Sequence, residues 1–177
     1  MIPSRKEALD IMKSYLPQNI IDHSMAVNKV ANYLAEKLVA KGEKIDLQLV
    51  DTATILHDID KIIEPSGKNH GKESERILRE KGFPEVASVV GKHGLGNILK
   101  KGELSRWEDK VVWYADKRVN HDKIVSLDER FAYLRKTYGH ISGEIAEIIE
   151  SSYPKAKELE EEIFNKLDVN KDLGELK

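Results

Sequence analysis

Apolar positions recur along this chain with a helical period from one end to the other. No run alternates with period two, and glycines and prolines fall between the periodic segments. Ser4-Arg5-Lys6-Glu7 reads as a capping box, in which hydroxyl and carboxylate each satisfy a free backbone N–H. It opens a helix that runs to about Tyr15 and stops before Pro17. A longer helix spans about Ile20 to Lys41 and ends at Gly42. Asp46 caps a third helix, expected to end near Asp60. Pro65-Ser66-Gly67 reads as a loop, followed by a helix from about His70 to Lys81 that stops at Gly82. Pro84 suits the first turn of a short helix ending at Gly94. Gly94-Leu95-Gly96 and Lys101-Gly102 bracket a loop with room for one turn.

Ser105-Arg106-Trp107-Glu108 reads as a second capping box, opening a helix to about Val119. Ser126-Leu127-Asp128-Glu129 is a third, for a helix stopped by Gly139. Ser142 starts a helix through Glu150, and Pro154 either kinks it or begins a new one ending near Leu167. Asp168 to Lys177 reads as a frayed polar tail. The expectation is an all-α fold of about seven to nine helices in a single domain over residues 1–177. Its C-terminal helices span 126–167, and the tail spans 168–177.

These faces carry an anomaly. Charged and polar residues normally take the solvent side of an amphipathic helix. Yet His23 lies in line with Val27, Val30 and Leu34, and His57 with Val50 and Ala53. Asp58 sits about 100° further round, beside Thr54 and Asp51. His93 shares a face with Val86, Val89 and Val90, and Asp116 with Val112, Ala115 and Val119. His70 opens its helix on the side of Ile77. A carboxylate on a buried face is costly unless it is paired or binds a metal. One inward histidine is ordinarily a hydrogen-bonded core residue; six such residues, four histidines and two aspartates, on several helices ask for a common explanation. His121, in a polar run, and His140, after a glycine, read as surface or turn residues.

Composition narrows the chemistry. The 177 residues allow one sizeable core, and 40% hydrophobic with 34% charged excludes disorder. No segment is apolar enough for a membrane span, and the N-terminus lacks a secretory pattern, so a cytoplasmic location is expected. A net charge of −2 argues against a broad nucleic-acid-binding surface. The absence of cysteine removes disulfides, thiolate ligands and a cysteine nucleophile together.

Four imidazoles and two carboxylates suit one or two divalent ions, among Mn, Fe, Co, Ni, Zn or Mg, with positions left open for water and substrate. Asp58 can bridge two ions, with His23, His57 and Asp116 on one and His70 and His93 on the other. Such a pair activates water and clamps the oxygens of a phosphoryl displacement. Lys61, three residues past Asp58, can neutralise phosphoryl charge, and Arg118 offers a phosphate fork. Solvated helix-end charges are the competing reading for both, and for Lys117. Asp22 and Asp51 read as surface carboxylates, with orienting an imidazole as their alternative role.

His23, the pair His57-Asp58 and the distant Asp116 resemble the pattern of the HD-domain phosphohydrolase superfamily. His57-Asp58-Ile59-Asp60-Lys61 is similar to the His-Asp-Ile-Gly-Lys of its HDIG subgroup, and His70 and His93 match its second-metal positions. The resemblance covers roughly Ile20 to Val119. It implies an all-α fold and metal-dependent hydrolysis of a small phosphate ester, a nucleotide in many members. Asp58 and Lys61 are then the catalytic candidates, and Lys61 and Arg118 the substrate-binding ones. A non-catalytic nucleotide- or metabolite-binding module of the same fold is the alternative. Two features depart from relatives. Asp60 stands where glycine is usual, adding a carboxylate near the site. Lys92-His93-Gly94-Leu95-Gly96 lacks the paired histidines and Gly-Tyr-Pro of cyclic-di-GMP phosphodiesterases, and the His-Asp then Gly-His pattern of dNTP triphosphohydrolases is absent too.

Overall fold

The computed structural model describes residues 1–63 and 70–177. The predicted loop at Pro65-Ser66-Gly67 lies outside the described residues. Eight α-helices are present among the rest: α1 (Arg5–Tyr15), α2 (Gln18–Ala40), α3 (Leu47–Leu56), α4 (Lys72–Glu80), α5 (Pro84–Val90), α6 (Trp107–Asp116), α7 (Leu127–Tyr138) and α8 (Gly143–Phe164). The all-α reading stands, with one addition. Val119–Asn120 (β1) and Lys123–Ile124 (β2) pair antiparallel as a minimal hairpin between α6 and α7.

Helix starts follow local chemistry. Ser4 accepts from the Glu7 N–H, and Asp46 from the Leu49 N–H. Ser126 and Glu129 close a reciprocal box. Pro84 occupies the first turn of α5. The second box is one residue later than predicted. Arg106 is the N-cap of α6, its N–H held by the Asp109 carboxylate, while Glu108 reaches across to the Asp46 N–H. A tertiary contact to α3 takes the glutamate that local pattern assigns to the cap. Pro154 lies inside α8, which runs on through it.

Helix ends are where the expectations fail. α3 stops at Leu56, short of Asp60, because Ser74 of α4 enters its ladder. The Ser74 hydroxyl donates to the His57 carbonyl at 3.1 Å and accepts from the Asp60 N–H at 3.1 Å. Both groups are thereby satisfied without another helical turn. α6 stops at Asp116, not Val119, as Lys117 and Arg118 tighten into i→i+3 bonds that lead to the hairpin. The C-terminal segment is not frayed. Leu173 is buried, the Leu176 carbonyl accepts from Lys29, Glu175 accepts from Tyr33, and the Lys171 carbonyl accepts from Arg118. Apolar Val169, Leu173 and Leu176 in that segment find a groove that composition alone does not reveal.

α2 is central: it packs on α3 and α6, with α1 against α3, α5 against α3 and α6, and α8 against α6 and α7. Val30, Leu34 and Leu38 of α2 meet Val50, Ile55 and Leu56 of α3 and Val112 of α6 in one buried cluster. Each such side chain contributes roughly 1.5–3 kcal/mol by leaving water. That rigid centre holds the ends of several helices at one place.

Candidate metal centre

Five elements deliver the site. His23 comes from the first part of α2, His57 and Asp58 from the end of α3, and His70 from just before α4. His93 follows α5, and Asp116 is the last residue of α6. His57, Asp58, His93 and Asp116 are buried, at 0%, 2%, 1% and 6% exposure. His23 and His70 are partly open, at 13% and 21% of their side chains, so solvent reaches the cluster from their side.

The imidazoles share one arrangement. Each ring donates from Nδ1 to an oxygen: His23 to the His121 carbonyl at 2.6 Å, His57 to the Thr54 carbonyl at 2.7 Å, and His93 to the Val90 carbonyl at 2.6 Å. His70 donates to Asp60 Oδ1 at 2.9 Å. An oxygen acceptor at Nδ1 fixes the proton there and leaves the Nε2 lone pair to face inward. The four Nε2 atoms converge on two carboxylates. His23 Nε2 is 3.2 Å from Asp116 Oδ1 and 3.7 Å from Asp58 Oδ2. His57 Nε2 is 3.6 Å from both Asp58 Oδ1 and Asp116 Oδ1. His70 and His93 Nε2 are 3.0 and 3.6 Å from Asp58 Oδ1, and 3.0 Å from each other.

These spacings fit an ion. Ligands about 2.1 Å from a metal stand about 3.0–3.5 Å apart along the edges of its coordination shell. Three triads, His23–His57–Asp58, His57–His93–Asp116 and Asp58–His70–His93, keep their donor atoms within 4.8 Å of one another. His57 Nε2 is buried with no hydrogen-bond partner among the described residues, an orphan that a metal would satisfy. Two imidazole nitrogens facing each other at 3.0 Å make the same demand.

Electrostatics follow the geometry. Burial raises the Asp58 and Asp116 carboxyls, but their neighbours outweigh it and hold both well below the usual range. The histidines and Lys61 do this for Asp58; Lys117, His23 and His57 do it for Asp116. Burial opposes protonation of His57 and His70, yet the Asp58 charge beside His57 raises it, and bonds to Asp58 and Asp60 lift His70 to about 9. Burial takes His93 down to about 4, as His70 and His57 repel a further positive charge. A divalent cation held there would replace these protons and answer the same negative charge.

Around the six residues, the cations divide. Lys61 Nζ lies 3.5 Å from Asp58 Oδ2 with its side chain half in solvent. Lys117 is buried. Its ammonium bonds Asp116 Oδ2 and donates to the His93 carbonyl at 3.0 Å, 5.2 Å above the Trp113 ring. It thereby leaves Asp116 Oδ1 to face the histidines. Arg118 corrects the sequence reading. Its guanidinium is buried, donating to the Val125 and Lys171 carbonyls and the Tyr114 hydroxyl, and no donor is turned to the cluster. Asp22 pairs with Gln18, and Asp51 with Arg5, Asn28 and Asn32, so neither touches a ligand imidazole.

Sequence reasoning missed several supporting groups. The backbone carbonyls of Thr54, Val90 and His121 leave no residue-type signal. His121, exposed as predicted, adopts a φ of +53° at the hairpin turn, which aims its carbonyl at His23. Arg130 of α7 bonds Asn120, lies 5.7 Å over the Tyr133 ring, and keeps a buried Nε without a partner among the described residues. Its charge is close enough to help hold Lys117 down, although burial is the larger cause.

The chain is 30% identical over 156 residues to a Methanocaldococcus jannaschii protein described as uncharacterized protein MJ0778, covering 81% of this chain and 92% of that one. It is 27% identical over 150 residues to a tRNA (cytidine(56)-2'-O)-methyltransferase of Thermoplasma volcanium, covering 77% of this chain but 42% of the methyltransferase. No solved structure matches. The profile described as HD domain matches residues 20–134, which takes in all six candidate ligands, and the chain belongs to that family, the metal-dependent phosphohydrolase superfamily named for its His-Asp pair.

Proposed function

We propose that this protein is a metal-dependent phosphohydrolase that cleaves a small phosphate ester, a nucleotide being the favoured class. One observation carries the reading. Four imidazoles, each anchored through Nδ1, turn Nε2 toward two deprotonated carboxylates at metal-ligand spacing. One or two divalent ions held there supply an activated water and Lewis-acid charge neutralisation. Asp58 is the shared ligand, within 3.7 Å of all four Nε2 atoms. Lys61, half-exposed beside Asp58, binds a phosphoryl oxygen and offsets its charge as the bond to the leaving group breaks.

The expected result is hydrolysis in a panel of phosphomonoesters, diesters and nucleotides that needs added Mn, Co, Ni, Zn, Fe or Mg. His57→Ala and Asp58→Ala should each remove it, by at least a thousandfold. Unchanged turnover in both variants would sink the proposal. A second reading, a non-catalytic binding module, is favoured by one finding: the chain resembles less than half of an enzyme whose named chemistry is methyl transfer, not hydrolysis. Nucleotide-induced stabilisation of metal-loaded protein with no turnover of any ester would select it.

A further inference from the structure

Asp60 stands apart from the candidate ligands, yet both oxygens of its carboxylate are bonded in the interior. It is fully buried. Oδ2 accepts from the Gly71 N–H at 2.6 Å and the Ser74 N–H at 3.2 Å, the free donors at the start of α4. Gly71, at the N-cap position, has no side chain to serve them. Oδ1 faces the other way and accepts from His70 Nδ1. Capping alone would need only a hydroxyl, and a buried carboxylate is an expensive substitute. The second oxygen therefore points to a second task.

The contrast among the four rings identifies it. His23, His57 and His93 are anchored on backbone carbonyls, which substitution cannot remove. His70 is anchored on a side chain, and it precedes α4, so helix geometry does not set its ring. We propose that Asp60 is the positioning residue that brings His70 to the centre, so that an ion on the His70–His93–Asp58 side binds only while the Asp60 carboxylate holds His70 Nδ1. This inference rests on the metal-centre reading and deepens it: Asp60 would set whether the site holds one ion or two.

Asp60→Asn keeps the shape and tests the point. An amide offers one oxygen. Turned toward α4, it presents NH₂ to His70 Nδ1, which must then accept, and the proton moves to Nε2, the atom that faces Asp58. Turned toward His70, it presents NH₂ to two N–H donors. Either way the His70 side is impaired. Zn²⁺ titration by calorimetry, with metal counted after desalting, should give two ions per chain for the natural protein. Asp60→Asn should keep one and bind the other at least tenfold more weakly. Two ions bound equally well by the variant would overturn the inference and leave the hydrolase reading intact. One ion on the natural protein would do the same. No ion at all would overturn both. Ring ¹⁵N spectra of the Zn²⁺-loaded natural protein need no variant to fold. His70 should carry its proton on Nδ1 and show a metal-shifted Nε2; a proton on Nε2 would refute the proposal.

Discussion

At the residue scale, the site shows how little space its ligands leave. Gly71 has a φ of +84°, in the left-handed region, and a Cβ there would lie 3.1 Å from His93 Cε1 and 3.3 Å from its Nδ1. Gly71→Ala therefore combines a backbone cost of about 1–2 kcal/mol with pressure on a ligand ring whose Nδ1 is already committed to Val90. Urea denaturation should show that loss of stability, and Zn²⁺ affinity should fall with it. Gly42, also left-handed at a φ of +94°, meets nothing within 4 Å. Gly42→Ala should cost the backbone term alone and leave metal binding untouched. A Gly71→Ala protein with the metal affinity of the natural one would show that His93 can yield.

At the element scale, a polar clamp joins α1, α2 and α3 close to the site without entering it. Asp51 of α3 pairs with Arg5 and accepts from Asn28 at 3.0 Å and Asn32 at 2.8 Å, while Asn28 also reaches Thr54, whose carbonyl anchors His57. Burial raises the Asp51 carboxyl, but the bonds from Asn28, Asn32 and Arg5 outweigh it and lower it below its ordinary value. The sign follows: the fold favours the ionised form, so the clamp stabilises fully above the unfolded pKa of about 3.9 and fades as pH falls through the lower folded value. Urea midpoints of the natural protein should drop more than those of Asp51→Asn as pH falls below about 4. The variant should already have lost about 1.5–3 kcal/mol at pH 7, the worth of bonds to a charged group. Equal acid sensitivity in both proteins would remove Asp51 as the titrating group.

At the scale of the whole molecule, the six candidate ligands come from positions 23 to 116, so an ion bound there would tie the chain together over 93 residues of separation. Anything that binds the folded form alone raises its stability by mass action, by about 2.7 kcal/mol when ligand exceeds its dissociation constant a hundredfold. Chelation should therefore lower Tm by several degrees and added Zn²⁺ should restore it. A Tm indifferent to both would show that the cluster holds no metal in solution.

The same scale separates what the chain alone decides from what folding decides. Helix existence was legible because it rests on local terms: apolar period, capping hydroxyls and carboxylates, and the glycines and prolines between segments. The inward phase of His23 and Asp116 was legible for the same reason, since a helix converts spacing into direction, whereas His93 lies beyond the end of α5 at Val90 and is turned inward by its bond to the Val90 carbonyl. Where α3 and α6 end was not, because Ser74 and the hairpin act on those ends from distant parts of the sequence. Nor was the fate of Arg118, which depends on carbonyls at positions 125 and 171. The docked C-terminal segment belongs to the same class, its contacts lying with α2 and Arg118. Sequence by itself determined the helices, the absence of thiolate chemistry and the ligand types. Tertiary structure decided which nitrogen of each imidazole faces the centre, because that choice belongs to the acceptor at Nδ1, and three of the four acceptors are backbone carbonyls that no residue name records.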